Sequence, residues 1–431
     1  MNCYFLTFGC KVNTCETASM QTMLRSAGHC IVTTPEEADV CILNSCTVTE
    51  SGDNRTRAAL RKLRRSYPDM LLVLTGCYAQ AYPEQAESIP EADLVLGTKG
   101  RSRLPELLET WQQTHTPCGA VDAYTGHDTF EALPCDIMPD NTRAFLKIQD
   151  GCNCFCSYCI IPYARGRCRS LPPEELRRAA STFAEHGYQE LVLCGINLGF
   201  YGMEWGGSLA DAVELCCTIP GIRRVRLSSL EPERMTDEVL DRLAALPQFC
   251  PQFHLSLQSG CDETLRRMNR HYTSEQYLEG VHILRRYYEN PAITTDIIVG
   301  FPGETEEEFA ETLAFAQIHV FKYSRRKGTV ADKMPEQLSE QEKAGRSDRL
   351  LAVTEQLSET YRRQFIGQVT QVLLEEMTEI DGENYVIGYT SRYVRVAVPI
   401  GADGTFEKGA VVFVKLEKQG PHDVLLGHFA E

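Results

Sequence analysis

The chain has no run of about 18 or more consecutive apolar residues, the length at which a membrane-spanning helix is read. Its first residues, MNCYFLTFGCKVN, lack the basic stretch and the long apolar stretch of a secretory signal. Together these absences lead to the expectation of a cytoplasmic protein. Basic residues are in deficit as well: 43 Lys and Arg stand against 59 Asp and Glu, a formal charge of −16. That balance does not advertise a nucleic-acid binder, although phosphate recognition depends on local patches rather than on the total.

Cysteine, by contrast, is abundant, with 19 in 431 residues. A reducing compartment keeps thiols free, so clustered cysteines there point to metal binding or catalysis rather than to disulfides. The odd number also argues against a complete disulfide framework. Cys3, Cys30, Cys41, Cys194, Cys216, Cys217 and Cys250 stand outside any cluster and read as small buried hydrophobes.

Chain length sets an expectation of two or three domains. In the first 110 or so residues, apolar runs at Tyr4–Phe8, Val40–Leu43, Leu71–Leu74 and Leu94–Leu96 alternate with amphipathic stretches such as Glu16–Ala27 and Asn54–Arg65. Such spacing predicts a parallel-sheet α/β domain over 1–113. Thr114–Thr142 has no period and reads as a linker. A second series, with runs at Phe145–Ile148, Leu191–Leu193, Val225–Leu227, Phe253–Leu257, Ile293–Val299 and His319–Tyr323, gives about six units, a partial (β/α)6 barrel over 143–363. From about Gln364 the period changes to two. Val369–Glu375, Asn384–Gly388, Tyr393–Val398, Ala410–Leu416 and Val424–Gly427 then predict a small antiparallel β-barrel over 364–431.

The densest chemistry lies in DGCNCFCSYCI, Asp150–Ile160, just after the first strand of the second series. Cys152, Cys156 and Cys159 have the spacing C-x3-C-x2-C. Three thiolates on one short loop can hold three irons of a cubane and leave the fourth open. Structural zinc wants a closed fourth position, for which Cys154 or Cys168 is conceivable. A second constellation is scattered: Cys10 ends TFGC, Cys46 ends NSC and Cys77 ends TGC, each just beyond an apolar run. In a parallel sheet such loops leave one edge and can converge. Glycines before Cys10 and Cys77 permit tight turns near a bulky ligand. Three unrelated loop cysteines remain the alternative.

The cysteine loop, with Tyr158 before its last ligand position, resembles the radical S-adenosylmethionine (SAM) enzymes. TFGCKVN, NSCTVTE, TGCYAQ and DGC…CSYCIIPYARGR together resemble the methylthiotransferase family over nearly the whole chain. That resemblance implies a radical-generating 4Fe-4S cluster on Cys152, Cys156 and Cys159, an auxiliary 4Fe-4S cluster on Cys10, Cys46 and Cys77, and SAM as source of both a 5′-deoxyadenosyl radical and a methyl group. Cys154 is then a bystander. It also makes the C-terminal barrel a TRAM domain and the reaction a replacement of C–H by C–S–CH3. By position at predicted strand ends and by likeness to the family's cofactor-binding segments, Tyr158, Gly195, Glu231, Gln258 and Asp296 are the expected SAM contacts.

Lys11-Val12-Asn13 and KYSRRKGT (Lys322–Thr329) resemble the subgroup that acts on N6-threonylcarbamoyladenosine beside the tRNA anticodon, at position 37. The implied partners are tRNA and an electron donor such as flavodoxin or ferredoxin, with a monomer as the expected state. Rival substrates are N6-isopentenyladenosine in tRNA and an aspartate of a ribosomal protein. A different class altogether is a metal-stabilised RNA-binding protein without catalysis. Candidate RNA contacts are Asn54–Arg65, with six basic residues and no acid, and two later groups: Arg165, Arg167 and Arg169, then Arg325, Arg326 and Lys327. From Phe365 to Glu431, five basic residues face ten acidic ones. Tyr389, Arg392, Tyr393 and Arg395 are the best candidate surface there, combining stacking faces with phosphate donors.

Overall fold

The computed structural model describes residues 1–117, 119, 121–138, 141–313, 318–400 and 406–430. Strands β1 (Asn2–Thr7), β2 (Cys30–Val32), β3 (Val40–Ser45), β4 (Leu71–Gly76) and β5 (Leu94–Val95) form one sheet in the order β2-β1-β3-β4-β5. Every pair in it is parallel. β3 and β4 are buried along their whole length, as central parallel strands covered on both faces must be. β2, a three-residue edge strand, was not foreseen, and it leaves Cys30 exposed rather than buried.

Helix α1 (Lys11–Ser26) follows β1 and carries two apolar faces. Met20 and Leu24 pack with the first sheet, whereas Val12, Cys15 and Ala18 belong to the core of the second region. One helix thus closes two cores. Helix α2 (Glu50–Ser66) is capped by Thr49, whose hydroxyl accepts from Gly52 N at 3.2 Å, and it buries Leu60 and Leu63.

The second region contains β6 (Ala144–Lys147), the short antiparallel pair β7 (Gln149–Asp150) and β8 (Arg169–Ser170), β9 (Glu190–Cys194), β10 (Arg224–Leu227), β11 (Ser229–Leu230), β12 (Gln252–Leu255), β13 (Ala292–Val299) and β14 (Ile318–Lys322). Its parallel order is β6-β9-β10, then β11-β12-β13-β14. β10 and β11 are one extended segment that pairs with β9 through its first half and with β12 through its second. Counted so, the arrangement is the expected six strands, open along one side.

A helix at Glu340–Arg363 leads into β15 (Val369–Ile380), β16 (Glu383–Thr390), β17 (Arg395–Pro399), β18 (Val411–Gln419) and β19 (Leu425–Phe429), which close a barrel in the order β15-β16-β17-β19-β18. The expected antiparallel pairing holds except at the closure, where β17 and β19 run parallel. No helix among the described residues is long and apolar enough to cross a membrane.

A buried ion group fastens this barrel to the six strands. Glu190 of β9 lies between Arg224 Nε and Arg226 Nε, each at 2.8 Å, and all three side chains are almost fully buried. The guanidiniums continue outward to barrel carbonyls: Arg224 Nη1 donates to Tyr389 O and Arg226 Nη1 to Ser391 O, both at 3.0 Å. Burial alone would raise the Glu190 carboxyl, but Arg226 and Arg224 outweigh it and hold it low. Glu190→Gln would leave two buried cations without their anion, at a cost of about 3–5 kcal/mol. Urea unfolding of the variant is expected to show that loss, with the barrel end of the protein opening first in hydrogen exchange.

Candidate functional site

Cys10, Cys46 and Cys77 leave the carboxyl edge of three adjacent strands, β1, β3 and β4. Two glycines let these loops touch. Gly9, at φ +117°, lies so close that a Cβ would come within 3.0 Å of the Cys46 Cβ; at Gly76, φ +105°, it would meet Ser45 O at 2.5 Å. Both conformations also lie where a side chain is strained. Asn13 stitches the same loops, its Nδ2 donating to Phe8 O at 2.7 Å and to Ser45 O at 2.9 Å. Its Oδ1 faces the Cys77 thiol at 3.9 Å and accepts from Arg165 Nη2 at 2.8 Å. Burial pushes the Cys77 thiol up to about 12, against the nearby Arg165 cation, and raises Cys46 in the same way.

The four-cysteine loop follows β7. It is tied down by Cys152 N to Gly166 O (3.1 Å), Ser157 N to Met268 O (2.9 Å) and Ser157 Oγ to Arg267 O (2.8 Å). A hydrogen bond from the Cys154 thiol lowers Cys152 to about 7 and raises Cys154 itself. Cys154 therefore lies inside the cysteine group, with Asn197 Nδ2 at 3.6 Å from its sulfur. Burial raises Cys156 and Cys159. Arg270 opposes this at Cys156, with Nη1 at 3.2 Å from the sulfur. Cys168 is held by Gln149 Nε2 at 3.1 Å. Among the described residues, no group of three or more His, Cys, Asp or Glu is arranged to hold a single metal ion. A cubane spreads its thiolates over different irons and does not need that arrangement.

Of the expected SAM contacts, Glu231 is joined to the loop through Arg270: it is ion-paired with the same guanidinium that meets Cys156. Tyr158 packs edge-on against Phe301, ring centroids 6.5 Å apart, and burial holds its phenol well above the ordinary tyrosine value. Gln258 and Asp296 sit side by side, Gln258 N donating to Asp296 O at 2.8 Å. Gln258 adopts φ +68°, a costly conformation for a residue with a Cβ. Asp296 Oδ2 is 3.3 Å from His254 Nε2. Gly195 follows β9 and lies against Gln149, whose Oε1 accepts from Asn197 N at 2.7 Å and so sets the turn beside Cys154. Arg270 was missed in sequence. In the sequence it stands in LRRMNRHYT, close after Arg266 and Arg267, and nothing there sets it apart from them.

Between the two cysteine groups lies a buried ion network. Glu16 of α1 meets Arg101 at 2.7 Å, Arg165 at 2.8 Å and Lys147 at 2.9 Å. Asp150, two residues before Cys152, meets Arg165 and Arg169 at 3.1 Å and Lys147 at 3.3 Å. Burial would raise both carboxyls, but the surrounding cations outweigh it and hold both well below the usual carboxylate range. This corrects the reading of Arg165 and Arg169 as phosphate contacts: both are buried and paired. Arg167 stacks on Phe155 at 4.5 Å, Arg326 is buried against Asp53 at 2.6 Å, and Arg325 pairs with Asp332 at 2.7 Å. On α2, Arg64 is bound to Asp93 at 2.6 Å, whereas Lys62 and Arg65 stay exposed. The barrel's Tyr389 and Tyr393 are stacked by Arg143 at 5.2 and 5.1 Å, and Arg392 donates to Asn290 O and Glu289 O. Arg392 and Tyr389 are thus partly spent on contacts within the chain, whereas Tyr393 stays exposed and Arg395 half-buried, so only part of the expected surface is free.

A model described as the Radical SAM superfamily matches residues 146–316, and one described as Uncharacterized protein family UPF0004 matches residues 2–97. The chain is 38% identical to the threonylcarbamoyladenosine tRNA methylthiotransferase MtaB of Bacillus subtilis (strain 168), over 96% of this chain and 94% of the relative. It is 35% identical to the tRNA-2-methylthio-N(6)-dimethylallyladenosine synthase of Clostridium botulinum (strain Loch Maree / Type A3), over 89% of this chain and 88% of the relative. Among solved structures, the cobalamin-dependent SAM radical enzyme OxsB aligns with a TM-score of 0.54 at 13% identity, covering 83% of this chain and 56% of that one. The last likeness is one of fold. A radical SAM fold implies SAM and a 4Fe-4S cluster. The chain belongs to the radical SAM methylthiotransferase family.

Proposed function

We propose that this protein methylthiolates tRNA, converting N6-threonylcarbamoyladenosine at position 37 to its 2-methylthio derivative. Relatives named for that substrate, at 38%, 35% and 34% identity, support the reading. The observation that carries it is the Asn13–Arg165–Asp150 connection, which binds the strand-end cysteines to the four-cysteine loop through buried hydrogen bonds and ion pairs. Radical formation and sulfur supply must act on one carbon, and this connection keeps the two thiol groups in fixed relation. In this reading residues 1–113 supply sulfur, 114–142 connect, 143–363 generate the radical and 364–431 form a TRAM barrel. The protein works in the cytoplasm as a monomer, with flavodoxin or ferredoxin as electron donor.

Cys152, Cys156 and Cys159 would hold the radical-generating cluster, and Cys10, Cys46 and Cys77 a second one. The donor sets fit: each offers three converging thiols, and burial keeps Cys46, Cys77, Cys156 and Cys159 protonated until a metal displaces the proton. Bound there, the clusters and SAM supply a radical able to break the unactivated adenine C2–H bond, and the sulfur and methyl that replace the hydrogen.

The chain's own groups set the conditions. Arg270 offsets negative charge at Cys156 and fixes the Glu231 carboxylate. Tyr158, Gly195, Glu231, Gln258 and Asp296, around the strand ends, would contact SAM. Tyr158 and Phe301 form an apolar wall that excludes water from one side. Asn13 and Arg165 hold a fixed cationic partner beside Cys77.

Two measurements test this. Deleting the gene should remove the 2-methylthio nucleoside from tRNA hydrolysates and leave N6-threonylcarbamoyladenosine in its place. An unchanged nucleoside profile in a strain with no second such enzyme overturns the substrate, and loss of the methylthio-isopentenyl nucleoside instead would favour the rival. In reconstituted protein, Cys156→Ala should abolish 5′-deoxyadenosine formation. Cys77→Ala should spare it, lose about half the iron and stop sulfur insertion, whereas Cys154→Ala should methylthiolate normally.

A further inference from the structure

The open side of the six-stranded region is not left to solvent. A cavity of about 780 Å³ lies there, with Leu227, Ser228 and Thr294 on the strand side and Tyr393 and Arg395 on the barrel side. Lys11, the residue after Cys10, joins the lining from the start of α1. That volume suits a modified nucleoside.

The charge of this lining is opposite to that of the protein. Lys11, Arg362, Arg392 and Arg395 face it, against Asp423 as its acid. Two of the four cations are already committed: Arg362 is paired with Asp423, and Arg392 is spent on backbone carbonyls. The other two are not. Lys11 is exposed and makes no hydrogen bond or ion pair among the described residues. Arg395 has its Nε buried without a partner and meets Glu376, itself largely exposed, only at 3.7 Å. Ser228 Oγ, also buried on this wall, has no partner either. In a chain with a formal charge of −16, two available cations and an unsatisfied hydroxyl around one cavity mark a place for an anionic, hydroxyl-bearing group.

Resting on the tRNA-modifying reading above, we infer that this cavity receives the N6 substituent of the target base, with Lys11 and Arg395 taking its threonyl carboxylate and Ser228 its hydroxyl. An isopentenyl group would leave both cations and the hydroxyl unpaired on desolvation, so the cavity selects against the apolar modification. Selection would then come from residues contributed by α1 and the barrel, with the strands supplying the floor.

Equilibrium binding separates this from turnover. The probe is a fluorescent anticodon stem-loop carrying N6-threonylcarbamoyladenosine, compared with the same RNA methyl-esterified at the threonyl carboxylate. Reconstituted wild-type protein should bind the acid about tenfold or more tightly than the ester, the range of a charge-assisted hydrogen-bonded pair. Lys11→Met and Arg395→Gln should each lose most of that preference while binding the ester as wild type does, and Arg395→Lys should recover part of it. Lys11 is a surface residue, so its variant tests the subsite even if Arg395→Gln folds poorly; equal iron content checks that the neighbouring Cys10 is undisturbed. Equal affinity of wild type for acid and ester, or a preference that survives in both variants, overturns the assignment. A preserved preference in wild type without methylthiolation of the acid RNA would instead overturn the functional reading and leave the anion subsite standing.

Discussion

Glu16 is the residue on which the site's geometry depends. It sits fully buried on α1, six residues after Cys10, and gathers Arg101, Lys147 and Arg165 from three separate parts of the chain. Asp150 repeats the pattern from the start of the four-cysteine loop and shares Lys147 and Arg165 with it. Burying so many charges is expensive, and the group holds only while every member is paired, since removing one leaves the others desolvated without compensation. This all-or-none character turns the network into a rigid joint. Two strand-end sites, each formed by a different sheet, are thereby held at one separation.

The network is also unbalanced. Two carboxylates face four cations, Arg101, Lys147, Arg165 and Arg169, and the excess positive charge lies beside Cys77 and Cys46. Desolvation keeps those thiols protonated in the protein alone, yet the surrounding field favours an anionic occupant. A thiolate-ligated cluster is such an occupant. The same accounting explains how an acidic protein can carry basic runs in its sequence without displaying them: Arg165, Arg169, Arg224, Arg226 and Arg326 are all buried in ion pairs. Exposed cations such as Lys11, Lys62 and Arg65 are what remains for a polyanion.

Much of the fold was legible because apolar runs at regular spacing admit few arrangements. The central strands β3 and β4, all six core strands and the five barrel strands lie where hydrophobic periodicity places them. β2 was not legible: three residues at a sheet edge carry too little pattern. The parallel closure of β17 on β19 was equally hidden, because alternation reports which face is buried and not the direction of the neighbour. At the site, both sets of cysteines could be read from their positions after strands. Their partners could not. Arginine in a sequence declares a charge but not whether phosphate, carboxylate or carbonyl will meet it, so Arg165 read as surface and Arg270 went unnoticed. Tyr389 and Tyr393 look like stacking faces for bases, and they do stack, with Arg143 of the same chain over each ring, although Tyr393 remains exposed.

An incomplete barrel has a consequence that a closed one would not. In eight strands the interior fills with side chains and chemistry is confined to the mouth. Six strands leave an open flank, and the inward residues of β12 and β13, Gln252, His254 and Thr294, line a cavity instead of a packed core. Barrel and α1 supply the missing wall, which is why Arg395 and Lys11, far apart in sequence and on different units, reach one cavity. The strands that carry the cysteine loop can then remain common to many reactions while the wall changes with the substrate. His254 and Asp296, facing each other across β12 and β13, mark where the floor of that cavity approaches the strand ends that carry Gln258 and Asp296. The expected cofactor contacts and the proposed substrate wall thus meet along two adjacent strands, so on this reading a substitution in the barrel would change what is modified without touching how the radical is made.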